Sequence, residues 1–246
     1  MIYLQRYAET GKIGKEESSV LNHAIVNGLP YRFLDEALIG CQENYPDLSL
    51  FVGSVEACRV VLSRMGHLLP SPNYYPNELS QFLGREVWLG TKTNVIASMA
   101  QGVSVFAKPA MKWKLFTGQV FDESSGFSII NEVSNDERLW LSDVVGFKSE
   151  FRAYVADREL IAVSQYAGED DADADLDTIK MAVDQFGNNP ANPSTYAFDW
   201  GYTEDGSFLL IEVNHCFAIG RYAGISDREY YRFLEGGWNN LTSESV

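Results

Sequence analysis

The chain has 246 residues, 46% hydrophobic and 13% aromatic, enough to bury a sizeable core and too apolar for a disordered segment. A formal net charge of −15 argues against nucleic acid or an anionic membrane as the main partner, though a few lysines and arginines could still dominate one cleft. No apolar run approaches the roughly 20 residues that span a bilayer, the opening MIYLQRYAETGKIGKEE lacks the parts of a signal peptide, and the three cysteines (Cys41, Cys58, Cys216) are scattered, so the expectation is a cytoplasmic protein with reduced thiols.

In chain order, MIYLQ reads as a strand and EESSVLNHAIVNG as a helix closed by Gly28. PYRFLD and LSLFVG read as strands. SVEACRVVLSRMG reads as a helix with Ser54 as N-cap and Gly66 at its end. This order predicts a small α/β layer over the first 70 or so residues. The proline-rich LLPSPNYYPNE then predicts a linker or domain boundary. The texture changes after it. VSVFAKPA (103–110), KLFTGQVF (114–121), RLWLSDVVG, SEFRAYVA and ELIAVSQYAG have strand composition, the last two joined tightly at Asp157-Arg158. EDDADAD (169–175) predicts a solvated loop capping the next helix, with cation binding as the alternative. That helix, LDTIKMAVDQFG, places Leu176, Ile179, Val183 and Phe186 on one face, with Lys180 at its shoulder. A strand pair and the helix SDREYYRFLEGGW complete an α+β pattern rich in antiparallel hairpins.

The strand pair carries the chemistry. In FDWGYTEDGSFLLIEVN, two apolar runs flank Asp205-Gly206, a strong signal for a two-residue hairpin loop. With that loop, Glu204 pairs with Ser207 and Asp199 lies opposite Glu212. Asn214 projects from the same face as Glu212, while Trp200 meets Ile211 and Phe198 meets Val213 on the other. Two adjacent carboxylates either share a proton or demand a cation. Together with an amide oxygen they suit Mg²⁺, which fills its remaining positions with water and phosphate oxygens. The competing reading is a solvated polar face at a hairpin end, and a three-residue loop would break the pairing.

These residues resemble the metal-binding hairpin of ATP-grasp enzymes, an Asp on one strand followed by E-x-N on the next. VFAKPA with KLFTG resembles the family's nucleotide-binding lysine and the lid over the phosphates. LWLSDVVGFKSEFRAYVADRELIAVSQY resembles its adenine hinge and E-x-R strand. The pieces fall in the family's order and are most like a compact clade of bacteria and their phages. The resemblance implies an ATP-grasp fold over 85–246, with a lid or central subdomain at 85–140 and a C-terminal subdomain at 141–246. Residues 1–84 would form a pre-ATP-grasp α/β domain. It implies that Lys108 and Lys114 contact phosphates, and that Leu141, Ser142, Asp143 and Val144 form the hinge. Asp143 or Glu150 would hold the ribose, and Arg152 would stabilise the transferring phosphoryl group. Asp199, Glu212 and Asn214 would grip Mg²⁺ or Mn²⁺. Arg221 and Tyr222 are candidates for holding an acceptor carboxylate. His215, facing away from Asn214 on its strand, is expected to pack rather than ligate.

The activity implied is ATP-dependent ligation of a carboxylate to an amine or thiol through an acyl phosphate, releasing ADP and phosphate. The acceptor could be an amino acid, a peptide or a protein. An ATP-grasp kinase and a nucleotide-binding module without turnover are the alternatives. No G-x-S-x-G, P-loop or Cys-His pair offers covalent or Walker-type chemistry.

Overall fold

The computed structural model describes every residue except 43, 114, 169–171 and 244–246. The first of its sheets is parallel, in the order β2-β1-β3, from β1 (Ile2–Arg6), β2 (Tyr31–Asp35) and β3 (Leu50–Val52). Parallel strands need crossovers. Helix α1 (Lys15–Asn27) supplies one and a 3₁₀ segment at Glu36–Cys41 leads into the other. Gly28 ends α1 at φ +63°, a left-handed cap that returns its N–H to Ala24 and Ile25 carbonyls. After β3, Ser54 caps α2 (Val55–Arg64), its Oγ accepting the Ala57 N–H at 3.2 Å.

The proline-rich stretch is not a loose tether. Tyr74 and Tyr75 are buried, the Tyr74 carbonyl accepts the Val213 N–H at 2.9 Å, and the Pro70 carbonyl accepts Trp113 Nε1–H at 2.9 Å. A short 3₁₀ segment, Asn77–Phe82, adds Leu79 and Phe82 to the same core.

The second sheet is antiparallel, in the order β4-β7-β5-β6: β4 (Val87–Thr91), β5 (Val105–Pro109), β6 (Gln119–Phe121) and β7 (Arg138–Ser142). Helices α3 (Lys92–Ala100) and α4 (Phe127–Glu132) complete its core through Val95, Met99 and Ile130. Neither β4 nor these helices is evident in the sequence. Strand β4 carries exposed Trp88 and Leu89, so its polarity does not alternate as a half-buried strand should. The strand expected over 114–121 is confined to Gln119–Phe121.

The third sheet, order β11-β10-β8-β9, holds β8 (Phe147–Ala156), β9 (Glu159–Gly168), β10 (Tyr196–Thr203) and β11 (Phe208–His215). Asp157 and Arg158 both have positive φ (+54° and +65°), making the tight turn expected between β8 and β9. Helix α5 (Leu176–Gly187) covers one face with Ile179, Ala182, Val183 and Phe186. Leu176, expected in that stripe, is 46% exposed at the first turn. Asp175 caps this helix by accepting the Thr178 N–H at 3.0 Å; the start of the acidic loop lies outside the described residues. Helix α6 (Asp227–Thr242) packs Tyr230, Phe233, Leu234 and Trp238 between the opposite face and the parallel sheet, giving those layers one continuous core. Among the described residues, no helix is long and apolar enough to cross a membrane.

Candidate functional site

The loop between β10 and β11 has three residues, not two: Thr203 N–H donates to Ser207 O at 3.0 Å, enclosing Glu204, Asp205 and Gly206. That shifts the pairing near the loop by one residue, so Trp200 meets Leu210 rather than Ile211. A bulge between Asp199 and Trp200 takes up Ile211 as the extra residue and restores the register. Beyond it Asp199 lies opposite Glu212 and Phe198 opposite Val213, as the shorter loop had predicted by a different route. Arg85 holds the bulge. Its guanidinium donates to the Leu210 carbonyl at 2.9 Å, the Ile211 carbonyl at 2.8 Å and the Leu83 carbonyl at 3.0 Å. No periodicity in the sequence points to Arg85, because its partners are backbone oxygens freed by a bulge.

Across three strands, Arg152 on β8, Asp199 on β10 and Glu212 on β11 stand directly opposite one another. Arg152 forks onto Asp199, Nε to Oδ1 and Nη2 to Oδ2, each 2.8 Å. The geometry is bidentate, and both groups are buried. Asn214 Nδ2 donates to Asp199 Oδ2 at 3.0 Å and to Glu212 Oε1 at 2.9 Å. Lys108, from β5 on the facing sheet, donates to Glu212 Oε2, and its ammonium lies 3.2 Å from the centre of the Tyr74 ring. The two carboxylates are therefore compensated by one lysine, one arginine and one shared amide. Burial works against ionisation of Glu212, but Lys108 and Asn214 outweigh it and hold its carboxyl below the usual range. Burial pushes the more deeply set Asp199 carboxyl up, and Arg152 opposes that rise. Among the described residues no cluster of three or more His, Cys, Asp or Glu side chains offers a metal cage. The donor set is two carboxylates and one amide. Such a hard-oxygen set fits Mg²⁺ or Mn²⁺ whose remaining ligands are water and phosphate.

These residues line one end of a cleft between the second and third sheets, a cavity of about 370 Å³ that also takes in Lys112, Thr117 and Gly118. A second cavity of about 370 Å³ continues from it past Phe106, Gly118, Glu150, Ile211 and Glu212 to Ser142, Asp143, Val144 and Val145. A Cβ on Gly118 would sit 2.7 Å from the Phe106 ring, so the bare backbone there keeps the passage open. The hinge predicted at Leu141 to Val144 lines this cavity only from Ser142 onward. Leu141 is buried in the second sheet's core, and its backbone pairs with Trp88 and Ala107. Asp143 accepts the Glu86 N–H at 3.0 Å, tying the hinge to the segment before β4. Glu150 lines both cavities and accepts the Tyr166 hydroxyl at 2.6 Å.

The other sequence candidates lie further out. Arg152 sits behind Asp199 rather than on the cavity wall, with its guanidinium 5.1 and 5.6 Å from the Tyr222 and Tyr166 ring centres. Those rings stack at 5.0 Å, which brings Tyr222 to the site as a neighbour of Arg152. Arg221 is turned away: it donates to the Ile225 carbonyl at 2.7 Å and pairs with Asp227 at 3.2 Å. Lys114 lies outside the described residues. His215 packs edge-on against Trp113 at 5.7 Å, and burial lowers its pKa.

Two sheets closing on a carboxylate–lysine–arginine cleft, with a hinge at one end, define an ATP-grasp domain. The chain belongs to an ATP-grasp domain family, family 2 of its clade, whose model matches residues 82–233. No curated protein matches its sequence. Among solved structures it is similar to the RimK-domain ATP-grasp protein of Sphaerobacter thermophilus DSM 20745 (14% identity, 96% of each chain covered, TM-score 0.58). It is also similar to D-cycloserine synthetase DcsG (12% identity, 98% of this chain and 99% of that one, TM-score 0.59). A third similar structure is D-alanine–D-alanine ligase from Bacillus anthracis complexed with ATP (13% identity, 100% and 99% covered, TM-score 0.54). At such identities the likeness is one of fold.

Proposed function

We propose that the chain is an ATP-dependent ligase joining a carboxylate to an amine through an acyl phosphate. The observation that carries this reading is the row Arg152, Asp199, Glu212 facing Lys108 across a two-part cleft. It supplies cations for a phosphate chain and hard oxygens for a divalent ion, with no protein nucleophile beside them. The nucleotide base belongs to the Ser142–Val145 end and the phosphates to the Lys108 end. The substrate carboxylate attacks the γ-phosphorus and ADP leaves. A neutral amine then attacks the acyl carbon, the carbon–nitrogen bond forms, and phosphate departs as the nitrogen loses its proton. Catalysis of this kind is positioning and electrostatics.

A bound Mg²⁺ held by Glu212, Asp199 and Asn214 would neutralise charge on the phosphate oxygens. Asn214 suits both states, because a half-turn of its amide exchanges the Nδ2 donor for the Oδ1 acceptor. Lys108, released from Glu212, becomes free to meet phosphate. The test is Mg-ATP-dependent ADP release across a panel of carboxylates and amines. Glu212→Gln and Asp199→Asn should each abolish it; turnover persisting in both sinks the proposal. A stable phosphorylated product formed without an amine identifies a kinase, and Mg-ATP binding without any turnover identifies a binding module.

A further inference from the structure

Outside the cleft, a cavity of about 310 Å³ lies between the parallel sheet and α6. Phe51, Phe217, Tyr230 and Trp238 give it aromatic walls. Its charged lining is wholly acidic: Glu16 and Glu17 from the first turn of α1 and Glu36 after β2, with no lysine or arginine among the lining residues. Past Tyr7 and Glu36 a surface hollow continues outward, adding Glu9 and again no basic side chain.

Glu17 is only 9% exposed. Its carboxylate accepts backbone N–H groups at Gly14 and Glu17, capping α1, and among the described residues it has no lysine or arginine partner. A glutamate at this position is ordinary helix capping. Capping does not account for an open volume beside a buried carboxylate that lacks a counter-ion, because such a charge is costly unless paired. Gln5 is 6% exposed on the same wall. Its Oε1 accepts the Ser54 N–H at 2.7 Å, and its Nε2 has no partner among the described residues. An orphaned amide and an uncompensated carboxylate therefore face one cavity.

The cavity also adjoins the cleft. Phe217 and Ala218 line both, and Ala218 holds φ +50°, a left-handed conformation rare outside glycine, in the wall between them. Gly220, on the cavity side, accepts the Tyr154 hydroxyl at 3.0 Å, on the same strand face as Arg152.

We propose that this cavity binds a substrate carrying a protonated aliphatic amine in addition to its reacting nitrogen: an aliphatic di- or polyamine, or a basic amino acid. The carboxylates hold one nitrogen as ammonium beside the aromatic walls. The second nitrogen, once neutral, is the nucleophile across the Phe217–Ala218 partition. That last role rests on the ligase reading; binding does not.

Calorimetry on the full chain without nucleotide tests it, with 1,4-diaminobutane, spermidine and L-lysine as probes and n-butylamine, L-alanine and L-glutamate as comparators. The doubly charged amines should bind about tenfold or more tightly than the comparators, and more weakly as salt rises. Glu17→Gln keeps the capping acceptor and removes the charge, and should weaken them about tenfold; exposed Glu36→Gln should weaken them about threefold. Diaminobutane and lysine decide between a diamine and a basic amino acid. Equal binding of n-butylamine, binding unaltered in both variants, or no binding of any probe up to about 10 mM overturns the proposal. Glu212→Gln should leave amine binding intact, so amine binding without ADP release would refute the ligase reading alone.

Discussion

Removing Arg152 tests whether the Arg152–Asp199 pair is compensated as a unit. The two groups are 9% and 3% exposed, joined by two 2.8 Å hydrogen bonds. In Arg152→Met the carboxylate keeps Asn214 as a donor but loses its guanidinium, and breaking such a buried pair costs about 3–5 kcal/mol. For a domain of this size each kcal/mol lowers Tm by roughly 2–4 °C, so a fall of about 6–20 °C is expected. Asp199→Leu combined with Arg152→Met removes both charges and should recover most of the loss. The assay is urea and thermal unfolding by circular dichroism, arranged as a double-mutant cycle. A single variant as stable as the parent, or a double variant no better than the single, would refute the pairing argument.

Arg85→Met should destabilise by roughly 2–3 kcal/mol in urea unfolding, because three backbone carbonyls lose a charged donor. Burial raises the folded-state pKa of Glu17, so its stability contribution is complete below its ordinary value of 4.5 and lost as pH rises through the raised one. Glu17→Gln should therefore be more stable than the parent at neutral pH, an advantage that disappears in acid; a pH series of Tm values checks it. Alkylation of the native protein should label Cys41 alone, since Cys58 and Cys216 are buried and burial pushes the Cys216 thiol up to about 12. Mass analysis before and after denaturation reads the difference.

The third sheet was legible because its strands alternate cleanly. Glu150, Arg152 and Tyr154 share a face of β8 while Phe151, Ala153 and Val155 fill the other core, which is the period-two pattern a sequence displays. Asp199 opposite Glu212 was found through a loop one residue too short, and the bulge at Ile211 cancelled the error. What stayed hidden depends on contacts distant in sequence. Lys108 meets Glu212 across 104 residues, Arg85 meets its carbonyls across about 125, and the acidic cavity gathers residues from both ends of the chain. Thr91 with Asn94 caps α3 without the Ser/Thr-x-x-Glu signature, so that helix announced no start.

The bulge also separates what the hairpin tip does from what its base must do. Asp199 is held in place by β8 on one side and by the Arg85-clamped bulge on the other, while the tip at Asp205-Gly206 has open space around it. The tip is therefore a position where the chain can be lengthened, or cut and rejoined as new termini, without moving one carboxylate off the other. A reporter fused there would ride on the same two strands as the site while leaving its register untouched.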